Sequence, residues 1–214
     1  MKKTIYIVFF LISLASFAQT EQEFIDRQIE NIESQFNQKG ITDYFILRFF
    51  WPGASYVTVI DNTRCDPYPD SIKYVFWKEG GKNWIKRVSE CGVSSDVQLT
   101  DFKPLDFFVE NITRIEKDNV LRYSYKPDLQ VGKKTHLFIF TTSHSSMREF
   151  KFHAQNGSFT KHIDTFNLTN AEDKKNLNFA YNNSLPVVIL SNECKLIIEK
   201  LEEKRIFETI IKID

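Results

Sequence analysis

The order of helix-like and strand-like segments in this chain predicts an α+β fold with a mainly antiparallel sheet. Three observations support it: amphipathic spacing near both ends and in the middle, tight-turn signals that close hairpins, and an aromatic-rich composition. Twenty Phe, eight Tyr and three Trp against seven Gly indicate a packed core and not a disordered chain. We expect one compact domain with N-terminal, central and C-terminal helices.

Residues 1–18 are predicted to be a cleaved export signal. Lys2 and Lys3 provide the positive start, an apolar run follows, and small residues precede the cleavage position. The apolar run is shorter than the roughly 20 residues that a membrane-spanning helix needs. We therefore expect a mature domain of residues 19–214, located in the periplasm or outside the cell, with no transmembrane segment after removal of the signal.

The charge composition argues against two classes of partner. The whole chain has 28 Lys and Arg and 28 Asp and Glu, so loss of the two signal-peptide lysines leaves the mature chain slightly acidic. The charges are interspersed and form no basic block. A nucleic-acid backbone is therefore not expected as a partner, and neither is an anionic membrane surface.

Apolar residues at helical spacing predict three helices, of which the last begins at Pro186. Gly40 is a plausible end for the first helix, and a proline lies in the first turn of the second. The β-branched run after Pro186 leaves a strand open as an alternative start to the C-terminal segment. The three apolar sets are Ile25, Ile29, Ile32 and Phe36; Leu105, Phe108, Ile112 and Ile115; and Val187, Leu190, Cys194, Ile197 and Leu201.

Two glycine-containing turns predict hairpins. Gly80-Gly81 supplies the positive φ angles that a two-residue turn requires, and the resulting register places Trp77 opposite Trp84. Asn156-Gly157 is the second signal, and a two-residue turn there would place His162 opposite Lys151.

A further turn in "SHSS", Ser143–Ser146, is expected to bring a third strand alongside the second hairpin. In that register His136 pairs with His153, whereas a three-residue loop would move His136 to the other face. Alternation along the three strands then predicts one apolar face toward the core. That face collects Leu137, Ile139, Phe150, Phe152, Phe159 and Ile163.

The three cysteines predict one disulfide bond, because an exported chain meets an oxidising compartment. The expected pair is Cys65 and Cys91. A straight strand would leave these two residues roughly 16 Å apart, so the prolines between them would have to fold the chain back. Cys194 is left over and is expected to be a small buried hydrophobic residue of the C-terminal helix.

His144 lies among serines, which raises the question of a catalytic site. No acidic residue is tied to it by spacing and no G-x-S-x-G elbow occurs in the chain, so we interpret His144 as a turn residue. No catalytic residue is predicted.

A histidine cluster is the candidate metal site. His136, His153 and His162 are expected on one face of the sheet, where three imidazoles and Asp164 have the donor atoms of a zinc site. The alternative reading is a set of half-exposed histidines on a polar face, and no H-E-x-x-H pattern supports the metal.

Phe49, Phe50 and Trp51 form a second candidate site, before the Pro52-Gly53 break. They are either an exposed aromatic platform for a carbohydrate or a partner, or part of the core at a strand end.

The function that these features favour is an exported binding or envelope-assembly module. Phosphate-loop, calcium-loop and zinc-finger patterns are absent from the sequence, so an enzyme is the less favoured class and no cofactor is expected. The alternative hypothesis is a zinc-dependent hydrolase that uses the histidine cluster. The ligand or partner outside the cytoplasm is not specified by any motif.

Overall fold

Helices cover both faces of an antiparallel sheet in the computed structural model, which describes residues 22–53, 67–126 and 137–207. The predicted α+β fold with a mainly antiparallel sheet is confirmed. The helices are α1 (22–39), α2 (Pro104–Lys117), α3 (Phe179–Ser184) and α4 (Pro186–Glu203), with 3-10 turns at Pro69–Ser71 and Thr165–Leu168. The strands are β1 (Tyr44–Phe50), β2 (Lys73–Glu79), β3 (Lys82–Ser89), β4 (Gly92–Val93), β5 (Val97–Leu99), β6 (Ser124–Tyr125), β7 (Phe138–Ile139), β8 (Met147–Ala154) and β9 (Gly157–Asp164).

Within the described ranges, the main sheet has the strand order β4-β3-β2-β1-β8-β9, and β5 also pairs with β3. β6 and β7 form a separate two-stranded ladder. The predicted Gly80-Gly81 hairpin is confirmed: both glycines have positive φ, and Trp77 pairs with Trp84. Their rings stack at a centroid distance of 6.4 Å.

The predicted register of the β8–β9 hairpin is wrong by two residues. Ala154 pairs with Gly157, so the two turn residues are Gln155 and Asn156 and not Asn156-Gly157. The observed register sets Phe152 opposite Phe159, with stacked rings 5.0 Å apart, where the predicted register placed Phe152 opposite a lysine. The favourable cross-strand contact between the two aromatic rings explains why this register forms. Because the observed and predicted registers differ by two residues, the same side chains face the core in both.

The predicted pairing of the upstream strand with β8 is also wrong. The neighbour of β8 is β1, whose seven residues all pair with it, whereas β7 pairs with β6. Leu137 and Ile139, predicted for the core, are 61% and 55% exposed. β1 displaces the local partner because it offers a longer ladder and its own buried Phe45 and Leu47.

Two apolar layers lie on the two faces of the sheet. Alternation in β1 sends Tyr44 and Ile46 toward α1, and Phe45 and Leu47 toward α2 and α4. The α1 layer contains the predicted helix stripe together with Val75, Trp77 and Val88. The larger layer is rich in aromatic rings and includes Phe76, Phe108, Phe150, Phe152 and Ile163.

The C-terminal helix is confirmed as α4, which has Pro186 in its first turn, where a missing N–H costs nothing. Cys194 is fully buried and free, as predicted, and burial raises the pKa of its thiol. Cys91 is buried, but Cys65 lies outside the described residues. The Cys65–Cys91 bond therefore stays a prediction.

The predicted export signal, residues 1–18, also lies outside the described residues. Among the helices that the structure describes, none is both long and apolar enough to cross a membrane.

Asparagine side chains connect the segment before β6 to the turn and helix after β9 by hydrogen bonds. Asn182, which is fully buried, accepts a hydrogen bond from the Leu121 N–H at 2.9 Å and donates to the Leu121 carbonyl at 2.8 Å and to the Asn167 carbonyl at 2.9 Å. Asn167 in turn accepts from the Tyr123 N–H at 2.8 Å. The base of the β6–β7 ladder is thereby held on the body of the protein.

Replacement of Phe45 by Ala is expected to lower the free energy of unfolding by about 3–5 kcal/mol, because it opens a cavity among the rings of Phe76, Phe108 and Phe152. Urea denaturation measures this change. Val109→Ala is the control: Val109 is 49% exposed on α2, and its replacement should change the free energy of unfolding by less than about 0.5 kcal/mol. Equal losses in the two variants would contradict the central position assigned to Phe45.

Candidate functional site

His153 lies on the side of the sheet that faces α1. Its ring stacks on Tyr44 from the neighbouring strand, with centroids 4.3 Å apart and planes 9° from parallel. Nε2 is buried and makes no hydrogen bond with any described residue, although the Glu33 Oε1 atom is 3.3 Å away. Burial lowers the pKa of His153, while the nearby carboxylate acts in the opposite direction.

Glu33 is the centre of this polar group. The Lys151 ammonium donates a hydrogen bond to Glu33 Oε1 at 3.1 Å. Burial, followed by the charge of Glu33, raises the pKa of Tyr44. Sequence reasoning missed Glu33, although the signal was present: Asp26, Glu30 and Glu33 have helical spacing beside the apolar stripe of α1.

The predicted zinc ligands do not come together in the described part of the chain. His162 pairs with Glu149 and not with Lys151, which places it four residues from His153 along β8, or about 13 Å. Asp164 accepts a hydrogen bond from the Phe166 N–H at 3.0 Å and begins the 3-10 turn.

His136 lies outside the described residues. Within those residues, no group of three or more His, Cys, Asp or Glu is arranged to bind a metal. The zinc hypothesis therefore stays a prediction that the described geometry does not support. His162 is exposed, and its Nδ1 atom is 3.4 Å from Glu149 Oε2.

The three predicted platform aromatics do not share a face. Phe49 packs against the larger core layer and meets the Tyr74 ring at 6.3 Å. Phe50, next along β1, points to the other side, where the Arg48 guanidinium lies 4.9 Å from its ring centroid. Trp51 is 40% exposed. His144 is exposed in the connection between β7 and β8, in agreement with its interpretation as a turn residue.

A charged cleft opens between α1 and the sheet, with a volume of about 320 Å³. Carboxylates of α1 line one side, and Arg48, Lys73 and Lys151, from three different strands, line the other. Ion pairs cross the cleft: Lys73 Nζ is 2.7 Å from Asp26 Oδ1, and Lys151 pairs with Glu33. These pairs join the helix to the sheet where the apolar layer ends.

The β6–β7 ladder is the most exposed apolar feature of the described residues. Leu137, Phe138 and Ile139 are consecutive and are 61%, 46% and 55% exposed. The Leu177 N–H donates to the Ser124 carbonyl at 2.8 Å, on the β6 side of the ladder, and the Leu177 side chain is also exposed.

Comparison with known proteins supplies no relative from which to transfer a function: no family model, curated protein or solved structure matches this chain.

Replacement of His153 by Phe should reduce the loss of stability in acid. Because burial lowers the pKa of His153 below the ordinary 6.5, the unfolded chain binds a proton more readily than the folded chain. The contribution of this histidine is complete above about pH 6.5 and is lost as the pH falls through its folded-state pKa. Phe preserves a ring against Tyr44 and cannot be protonated. Urea denaturation at about pH 5 and about pH 7.5 measures the difference.

His162→Phe is the matched control, because His162 is exposed on the same face. This variant should keep the acid sensitivity of the parent protein. The interpretation of His153 is wrong if both variants respond to pH alike.

Proposed function

We propose that this chain is an exported binding module for envelope assembly and that it contacts a protein partner through the β6–β7 ladder. One observation carries the proposal: Leu137 and the two β7 residues, Phe138 and Ile139, are all highly exposed at a two-stranded ladder outside the main sheet. Alternation places Leu137 and Ile139 on one side and Phe138 on the other, beside the Tyr125 ring at 5.9 Å. Single exposed apolar residues are ordinary, but neighbouring exposed apolar side chains are typical of interaction sites. The signal-like residues 1–18 support a location outside the cytoplasm.

Phe140, the residue after β7, packs against the body of the protein and anchors this segment next to its exposed residues. The buried Tyr123 ring meets Phe140 edge-on at 5.5 Å and stacks on Phe166 at 5.0 Å. The Phe140 N–H donates to the Tyr123 carbonyl at 2.9 Å. A surface that is ordered before binding loses less conformational entropy on association.

The edge of the β6–β7 ladder could also pair with an added strand from a partner. β7 has only two residues and pairs with β6, and in the described ranges no other strand pairs with it. An extended partner segment at this edge would form main-chain hydrogen bonds, while its apolar side chains cover Leu137 and Ile139.

Photo-crosslinking in the cells that naturally produce the chain tests the proposal. A benzophenone amino acid in place of Phe138 should give one discrete adduct with a second protein. The matched control has the same group in place of Val109, which is similarly exposed but lies on α2, and it should not give this adduct.

The double variant Leu137→Asp, Ile139→Asp, combined with the crosslinker at position 138, should lose the adduct without a change in thermal midpoint, because both side chains are exposed. An adduct of equal yield from position 109, or one that survives the double substitution, would refute a partner site on the ladder.

A further inference from the structure

We propose that the cleft between α1 and the sheet binds a small amphoteric molecule, one that carries a carboxylate and a protonated amine, as an amino acid or a short peptide does. This site is separate from the β6–β7 ladder and does not depend on the proposed partner. Its volume of about 320 Å³ is at the lower end of the range of small-molecule pockets.

Two positively charged side chains lie side by side on the sheet wall of the cleft. Arg48 of β1 pairs directly with Lys73 of β2, and both side chains line the cleft. Directly opposed cations destabilise a sheet unless anions compensate them. Asp26 forms an ion pair with Lys73 at 2.7 Å, and the charge of Arg48 also contributes to lowering the pKa of Asp26. Within the described residues, however, no carboxylate lies within ion-pair distance of Arg48.

The guanidinium of Arg48 is held in place and retains free donors. Its Nε atom donates to the Asp70 carbonyl at 2.8 Å, and its central carbon lies over the Phe50 ring, 4.9 Å from the centroid. The two terminal nitrogens make no hydrogen bond with any described residue. A fixed guanidinium whose two terminal NH2 groups are unused can donate one N–H from each to the two oxygens of a carboxylate.

The α1 wall of the cleft contains a carboxylate that pairs with no described residue. Glu30 lines the cleft, is exposed to solvent and, among the described residues, has no hydrogen bond or ion pair. Asp26, Glu33 and Glu149 each already contact a lysine or a histidine. One carboxylate on the helix and one guanidinium on the sheet are therefore left for a ligand.

The numbers of positive and negative side chains that line the cleft favour a ligand that carries both charges. Four carboxylates and three cationic side chains line the cleft, so its lining has one excess negative charge. A simple anion would be repelled by this excess, and a simple cation would leave the Arg48 donors unused. A molecule with both charges satisfies Glu30 and Arg48 at once.

Isothermal titration calorimetry on the purified mature chain tests the inference with defined probes. Alanine and the dipeptide alanyl-alanine are the amphoteric probes, and propionate, ethylamine and inorganic phosphate carry charge of one sign. At least one amphoteric probe should bind at about millimolar concentration or below, and at least about tenfold more tightly than each single-sign probe.

Arg48→Gln and Glu30→Gln should each weaken that binding at least about tenfold. Arg114→Gln, which removes an exposed arginine of α2 away from the cleft, should leave it unchanged. Thermal unfolding establishes that each variant is folded at the temperature of the titration. Arg48→Gln loses the hydrogen bond to the Asp70 carbonyl and the contact with Phe50 as well as the repulsion from Lys73, so its midpoint alone does not report on binding. If this variant does not fold, Glu30→Gln decides, because that carboxylate has no partner in the described residues.

Three results would overturn the inference: no binding of either amphoteric probe, equal binding of propionate or ethylamine, or unchanged binding in Glu30→Gln.

Discussion

The burial of β1 on both faces is the constraint on which the rest of this structure depends. Tyr44 and Ile46 pack under α1 while Phe45 and Leu47 pack under α2 and α4, so one strand takes part in both apolar layers. Such a strand needs a hydrogen-bonded neighbour on each side, because its buried backbone groups have no access to water. β2 and β8 supply these neighbours over nearly its whole length.

The same strand explains where the cleft lies. Along its α1 side, β1 carries Tyr44 and Ile46 in the buried half, followed by Arg48 and Phe50 in the half-buried end. The apolar layer therefore stops at Ile46, and beyond it the gap between helix and sheet is lined by charges. Ion pairs replace apolar contacts there because the charged groups remain close enough to solvent to avoid a large desolvation cost.

The two candidate surfaces differ in chemistry as well as in place. The β6–β7 ladder is apolar, lies outside the main sheet and is held by hydrogen bonds from buried asparagines such as Asn182. The cleft is polar and lies between a helix and the centre of the sheet. The ladder has the properties of a macromolecular contact and the cleft those of a small-molecule site, so binding at one does not require binding at the other.

The sequence by itself determined α1, α2 and α4, the Gly80-Gly81 hairpin and the faces of β8 and β9, because these depend on local periodicity and turn chemistry. Phe150 and Phe152 face the core as predicted, although the predicted register of the hairpin was wrong by two residues. A shift of two residues leaves each side chain on the same face of the sheet. Only the tertiary structure decided that β8 pairs with β1, that β7 lies outside the main sheet and that His162 is far from His153 along the strand. The choice between strand partners depends on how much apolar surface each one buries. That energy comes from residues distant in sequence, which no local pattern contains.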